Sequence, residues 1–435
     1  MKFHIETWGC QMNVMDSHFF EGAFVEAGLS AAVGAQDADL IILNTCSVRE
    51  HAENKVLSRL GVLTRLKEVN TSLKIVVAGC MAQRMGGEIT RKFPAVDLVL
   101  GTGRIADIVA LTTAKGGAGC MVCTDGMGDA GPERYPYARA GAAHAYVCAM
   151  RGCDNFCAYC IVPKVRGRQV SRPAAKIIAE IEALCADGVK VVTLLGQNIS
   201  AWGRDLGEGR GLAFLLEAVH EVAGLEWIKF LTCHPRDTDT AVFEAMRDLP
   251  KVASGIHLPA QAGSDFVLRA MKRGYTRREY LSKVAQLRDF VPQASIVGDF
   301  IVGFPGEREA DFNDTLSLLE ETGFRGSFVF KYSPRPGTAA AHLADDVPMD
   351  VKARRNNDLL ALQRDVSLAQ NRSFIGRRVR VFVEGPSRKN PDELTGRTLG
   401  DEVVIFAGSR REAGSFAQVD IFDASAAVLF GREVP

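Results

Sequence analysis

The run RGCDNFCAYCIVPKVRGR, residues 151–168, places Cys153, Cys157 and Cys160 in Cys-x-x-x-Cys-x-x-Cys spacing. It follows the apolar run Ala145–Met150 and opens into a basic stretch. Iron–sulfur clusters usually take four thiolates. Three closely spaced cysteines can hold three irons of a 4Fe–4S cubane and leave the fourth iron open. The competing reading is a zinc site that borrows Cys148 or His144 as fourth ligand. Tetrahedral zinc sites favour paired Cys-x-x-Cys knuckles, which this run lacks.

Outward from this run, apolar stretches alternate with helical patterns. Strands are expected at Ala145–Met150, Val189–Leu195, Trp227–Thr232, Gly255–Pro259, Ser295–Val302 and Ser327–Tyr332. Helices are expected between them, among them Ala174–Ala186, Phe214–Val222, Thr276–Phe290 and Glu309–Glu321. Six βα units predict a partial (β/α)6 barrel, with a doubly wound sheet as the alternative. In a barrel the cysteine run lies on the C-terminal face, where such folds carry their chemistry. An open iron there can chelate the amino and carboxylate groups of S-adenosylmethionine and pass it an electron. Tyr159 can pack on the adenine. Gly196, Gln197 and Asn198 end the second strand and Gly303 the fifth, where backbone can approach such a cofactor closely. A glycine after a strand is more often only a turn.

Residues 1–115 repeat the alternation, with short apolar runs at Phe3–Thr7, Leu40–Asn44, Lys74–Ala78 and Asp97–Leu100. The expectation is a parallel sheet covered by helices. Cys10, Cys46 and Cys80 each follow one of these runs, about one βα unit apart. Parallel strands carry all their C-termini to one edge, so three such cysteines can converge into a second cluster site. The bland reading is three buried structural cysteines, which their polar loops (WGCQMN, NTCSVRE, AGCMAQR) oppose. Residues 116–142 are Gly-, Ala- and Pro-rich and read as a linker. Cys120 and Cys123 form a Cys-x-x-Cys pair beside it without a matching second pair, and stay unassigned.

The barrel region spans 143–372 and ends on a helical stretch, Val351–Asn371. Beyond it, Arg378–Glu384, Glu402–Phe406, Gln418–Phe422 and Ala426–Phe430 predict a small all-β, OB-like domain over 373–435. The chain as a whole is α/β. Lys plus Arg (52) balance Asp plus Glu (52), so bulk charge points to no nucleic-acid or membrane partner. Local clusters remain: Arg166 and Arg168 beside the cysteine run, and Arg388, Lys389 and Arg397 near turns of the last domain, are candidate RNA contacts. For a charge run alone, a solvated loop is the commoner outcome. Eleven cysteines at non-scaffold spacings fit a reducing compartment better than disulfides. The N-terminus has no signal-like run and no apolar stretch is long enough to span a bilayer, so a cytoplasmic protein without membrane contact is expected.

Together these motifs resemble the radical S-adenosylmethionine methylthiotransferases over nearly the whole chain. TWGCQMN (7–13), NTCSVRE (44–50), HLPAQAGSD (257–265), SPRPGT (333–338) and SRKNPDELTGRT (387–398) are most similar to the branch that modifies tRNA carrying isopentenyladenosine. The resemblance implies two 4Fe–4S clusters, an auxiliary one on Cys10, Cys46 and Cys80 and a radical one on Cys153, Cys157 and Cys160. It also implies S-adenosyl-L-methionine as cofactor and a C-terminal TRAM-like RNA-binding domain. A sulfur donor, an electron donor such as a flavodoxin or ferredoxin system, and action as a monomer complete the expectation. Ala262 stands where the family often has serine. The alternatives are the same chemistry on threonylcarbamoyladenosine tRNA or on a ribosomal protein, and, in another class, a non-catalytic metal-bearing RNA-binding module.

Overall fold

The computed structural model describes residues 1–47, 50–113, 121–126, 142–207, 209–408 and 411–434. The N-terminal sheet is six-stranded and all parallel. Its spatial order is Ser30–Ala31, Lys2–Trp8, Leu40–Thr45, Lys74–Gly79, Leu98–Leu100 and Met121–Cys123. Leu40–Thr45 is buried along its whole length, as a central strand covered on both faces must be. Ile41 and Leu43 pack toward one layer of helices, Leu40 and Ile42 toward the other. The sixth strand comes from within the segment read as linker. Residues 116–120 and 127–141 of that segment lie outside the described residues.

The central region forms two parallel three-stranded sheets, which follow one another in chain order. The first holds His144–Cys148, Val191–Leu195 and Trp227–Phe230; the second holds Gly255–His257, Ser295–Val302 and Gly326–Lys331. Backbone bonds from Ile228 N to Lys251 O (2.7 Å) and from Cys233 N to His257 O (3.0 Å) stitch the two at their seam. The result is the expected open barrel of six strands. Ala145 and Val147 face the helices, within a core that continues through Ile177, Leu215, Phe243, Leu287 and Phe312. The long helix Met349–Arg372 closes the far side, where Gln363 Nε2 donates to Phe324 O (2.8 Å).

The C-terminal domain is a closed five-stranded barrel, with Arg378–Pro386 paired to both Leu394–Arg397 and Phe416–Ala424. Sequence periodicity missed Leu394–Arg397, a four-residue strand interrupted by Gly396. That glycine has a packing cause: a Cβ there would overlap the Phe382 carbonyl. This barrel docks under the central one. Trp227 meets Phe416 edge-on at 4.8 Å, Arg380 lies 4.0 Å over the Phe416 ring, and Lys229 pairs with Asp401 at 2.8 Å. Among the described residues no helix is long and apolar enough to cross a membrane.

Candidate active site

Cys10 caps the helix Gln11–Glu26, directly after the first strand. Asn13 Oδ1 accepts from Cys10 N (3.3 Å) and from its thiol (3.5 Å). The amide of Asn13 donates to Asn44 Oδ1 and to Thr45 O, both at 3.1 Å. Asn44 answers by donating to Asn13 O (2.7 Å) and Ser17 Oγ (2.9 Å). Two buried asparagines thereby sew the Cys10 loop to the Cys46 loop, each satisfying the other's amide. Cys80 opens a short helix after the strand Lys74–Gly79. Gly79 has φ +94, and a Cβ there would sit 2.5 Å from Thr45 O, so only glycine lets the third loop close on the second.

Cys10 is the exposed member of this trio; Cys46 and Cys80 are buried. A hydrogen bond with Cys46 is the main cause that brings the Cys10 thiol down to about 6, with partial loss of water from the surrounding chain opposing and the Arg166 charge assisting. Burial pushes Cys80 up, against the pull of Arg166, whose Nε donates to its sulfur at 3.2 Å. One member is thus predisposed to be a thiolate at neutral pH, the form that ligates metal.

The second trio sits in a wrapped loop after His144–Cys148. Gly152 (φ +71) leaves no room for a Cβ beside the Arg168 carbonyl, and its N–H donates to Gln197 Oε1 (2.5 Å). Phe156 holds a left-handed φ of 45 between the first two cysteines, a costly conformation that marks functional loops. Ala158 is pinned from both sides, by Met271 O (2.9 Å) and by Ala340 N (2.8 Å). Arg273 is buried beneath the loop. Its Nη1 reaches Cys157 Sγ and the Tyr159 hydroxyl, each at 3.3 Å, while Nη2 donates to Pro259 O (2.9 Å). Burial, reinforced by the Cys157 charge, pushes Cys153 up to about 11 and Cys160 up to about 12. Thiols that resist ionising together need a strongly cationic group to displace their protons, which is how clusters and metals bind. Among the described residues no three His, Cys, Asp or Glu side chains are grouped as ligands of a single ion. A cluster spreads its thiolates over several irons and needs no common point.

Beside this loop lies a cavity of about 250 Å³ lined by Asn155, Asn198, Arg204, Arg236 and Asp237. Burial works against the Asp237 charge, but hydrogen bonds from Asn155, Arg204 and Asn198 hold it down to about 2. Burial and the Arg273 charge keep His234 neutral, at about 2. Gln197 Nε2, Asn198 Oδ1 and His234 Nε2 are buried without a hydrogen-bond partner. Orphaned polar atoms of this kind are uncommon and suit a polar cofactor beside the second trio.

The other expected residues fare differently. Gly196 packs on Met150, whose Cγ would lie 2.5 Å from a Cβ, and Gly303 is filled by the stem of buried Lys352. Both glycines therefore have packing causes of their own. Arg166 corrects the sequence reading: it is turned inward, its side chain 3% exposed and paired with Asp16 at 2.8 Å, so it offers nothing to RNA. Arg168 is exposed and paired with Asp154 (2.7 Å). Arg388 and Lys389 stand exposed in a turn, and Arg397 is shared between Glu384 and Asp401, each at 3.0 Å. Cys123 ends the sixth strand, and Cys120 lies outside the described residues. Sequence reasoning missed Asp16, Arg273, His234 and Asp237, although the polar stretch TCHPRD at 232–237, directly after a strand, was a readable signal.

Comparisons with known proteins agree with this architecture. Residues 2–101 match the Uncharacterized protein family UPF0004, 147–319 the Radical SAM superfamily and 372–434 the TRAM domain. The chain is 44% identical to the tRNA-2-methylthio-N(6)-dimethylallyladenosine synthase of Moorella thermoacetica, over 99% of this chain and 98% of that protein. It is 43% identical to the protein of the same name from Desulfitobacterium hafniense, over 98% and 96%. Among solved structures, the radical S-adenosylmethionine methyltransferase TsrM from Kitasatospora setae superposes with a TM-score of 0.55 at 13% identity, covering 78% of this chain and 76% of that one. The cobalamin-dependent S-adenosylmethionine radical enzyme OxsB gives 0.51 at 13% identity, covering 83% and 56%. These two likenesses concern the fold alone.

Proposed function

Because the chain belongs to the tRNA-2-methylthio-N(6)-dimethylallyladenosine synthase family and is a radical SAM methylthiotransferase, we propose that two 4Fe–4S clusters, one on each cysteine trio, serve its reaction. That reaction adds a methylthio group to carbon 2 of N(6)-isopentenyladenosine beside the anticodon of tRNA. Cys153, Cys157 and Cys160 would hold the radical cluster, and Cys10, Cys46 and Cys80 the auxiliary one. The observation that carries this reading is a single side chain: Arg166 leaves the loop of one trio and donates to Cys80 of the other.

When bound, the radical cluster and S-adenosylmethionine together supply a one-electron cleavage whose product can remove hydrogen from an aromatic carbon. The chain's own residues do the placing. Arg273 holds Cys157 and Tyr159 together, and Tyr159 would pack on the adenine of the cofactor. Gln197, by fixing Gly152 N, keeps the loop wrapped, and Asn198 with Asp237 presents polar atoms at the cavity wall. An unactivated aryl C–H reacts only with a radical held close and shielded from water. The TRAM domain would grip the anticodon arm through backbone and shape, with Arg168, Arg388, Lys389 and Arg397 as phosphate contacts, while one flipped base enters the barrel mouth.

The domain division is 1–115, a linker over 116–142, 143–372 and 373–435, with the strand at 121–123 assigned to the first domain. A sulfur donor and an electron donor of flavodoxin or ferredoxin type serve a monomer in the cytoplasm. Anaerobic reconstitution with iron and sulfide, followed by incubation with isopentenylated tRNA and nucleoside analysis, tests the proposal. Iron for a single cluster only, or product on threonylcarbamoyladenosine instead, overturns it.

A further inference from the structure

Arg151 and Arg166 bracket the loop that carries Cys153, Cys157 and Cys160. Both arginines run back into the N-terminal domain and end on the same carboxylate. Asp16 accepts Arg151 through Oδ1 and meets Arg166 at Oδ2, each at 2.8 Å, and the three side chains are 1–4% exposed. Asp16 stands on the helix that Cys10 caps. Arg166 also donates Nε to Cys80 Sγ at 3.2 Å. Around this bridge Ile161 and Val165 pack on Cys80, and Met12 and Met15 pack on Cys148 and Leu195. The Thr102 hydroxyl donates to Val165 O. This cluster of side chains joins the loop of one trio to Cys80 of the other.

Interface stability alone does not account for it. Buried ion pairs are commonly matched or bettered by apolar side chains of similar volume. Two guanidinium groups on one carboxylate also leave an excess positive charge in a dry interface. The thiols of Cys10 and Cys80 are the acidic groups that face it, and the Arg166 charge acts on both. What the bridge supplies is placement: a carboxylate hydrogen-bonded to Arg151 and ion-paired with Arg166 fixes where each guanidinium sits.

We propose that Asp16 and Arg166 are positioning residues. Asp16, by clamping Arg151 and Arg166, sets the separation of the radical loop from the N-terminal trio, and Arg166 tunes the electronics of the auxiliary site through Cys80. The inference rests on the reading that both trios hold clusters. Hydrogen bonds to cluster sulfurs are among the factors that set reduction potential, and loss of a donor makes a cluster harder to reduce.

The test uses the full-length chain, reconstituted anaerobically with ferrous iron and sulfide. In a background with Cys153→Ala, Cys157→Ala and Cys160→Ala, only the N-terminal trio remains. Iron content and an EPR-monitored redox titration are measured there for Arg166, Arg166→Met and Arg166→Lys. The expected result is equal iron in all three, with the midpoint moved to more negative potential in Arg166→Met. Arg166→Lys keeps a cation near Asp16 but loses the Nε donor, and moves it the same way by less. In the chain with all cysteines, Asp16→Asn should raise 5′-deoxyadenosine formed per methylthio group inserted about tenfold, and Asp16→Glu should raise it by less. An unmoved midpoint in both Arg166 variants, or an unchanged ratio in both Asp16 variants, overturns the inference. A background chain that binds no iron overturns the two-cluster reading instead, and the inference with it.

Discussion

Arg273→Met is the perturbation with the most readable consequence for the radical site. The guanidinium lies 3.3 Å from Cys157 Sγ. At that distance and an effective dielectric of about 20, a full charge on sulfur gains about 5 kcal/mol. If roughly a quarter of an added electron resides on that sulfur, the reduced cluster gains about 1.3 kcal/mol over the oxidised one. For a one-electron couple this is about 55 mV, a tenfold change in the reduced fraction at fixed ambient potential. Removal of the guanidinium should therefore move the midpoint about 55 mV more negative and slow deoxyadenosine formation about tenfold. The Pro259 carbonyl, which accepts from Nη2 at 2.9 Å and from the Tyr275 hydroxyl at 3.3 Å, loses its nearer donor, so the chain also becomes less stable by about 1 kcal/mol. The assay is an EPR redox titration in a background lacking Cys10, Cys46 and Cys80, so that one cluster is read. Arg273→Lys keeps the charge and should retain much of the potential. A midpoint that stays in place in Arg273→Met, with iron content unchanged, refutes the reasoning.

Three further outcomes are expected. Cys157→Ala should abolish deoxyadenosine formation, whereas Cys46→Ala should spare it, halve the iron and stop sulfur insertion; equal loss of both activities contradicts this division of labour. Gly152→Ala forces a side chain against the Arg168 carbonyl at φ +71, so it should strip iron from the second trio while leaving the N-terminal cluster in place, as read by iron content in each single-trio background. Burial lowers His144 from 6.5 to about 4, so the unfolded chain takes up that proton first. The stability tied to neutral His144 is whole above about pH 6.5 and falls by about 2 kcal/mol as pH drops to 4, after discounting for partial exposure. His144→Gln should flatten that part of the Tm loss between pH 7 and pH 4.5 in metal-free chain, and an equal loss in both proteins would count against it.

The fold was readable because its signals are local. Each strand of the parallel sheets is a short apolar run followed by a polar loop, and strand C-termini share an edge by topology alone. That is why Cys10, Cys46 and Cys80 could be grouped without any knowledge of their contacts. Leu394–Arg397 escaped notice because four residues around a glycine carry almost no alternation. The basic character of 151–172 misled for a different reason. Arg166 reads as a solvated cation in sequence, and its carboxylate partner, Asp16, lies in another domain. Charge pairing across such a separation leaves no periodic trace. Gly303 followed a strand as cofactor-facing glycines do, yet Lys352, brought in by the last helix, already occupies the space beside it. Arg273 sits in KRGYTR, a stretch indistinguishable from an ordinary exposed turn until the fold buries it under Cys157.

The C-terminal barrel is closed strand to strand around its whole circumference. Among the described residues each of its strands has a neighbour on both sides, which disfavours strand addition as a way of docking and lowers the hazard of sticking to other copies. Whatever this module holds must be gripped by loops and side-chain tips, a mode that suits a phosphodiester chain better than a peptide.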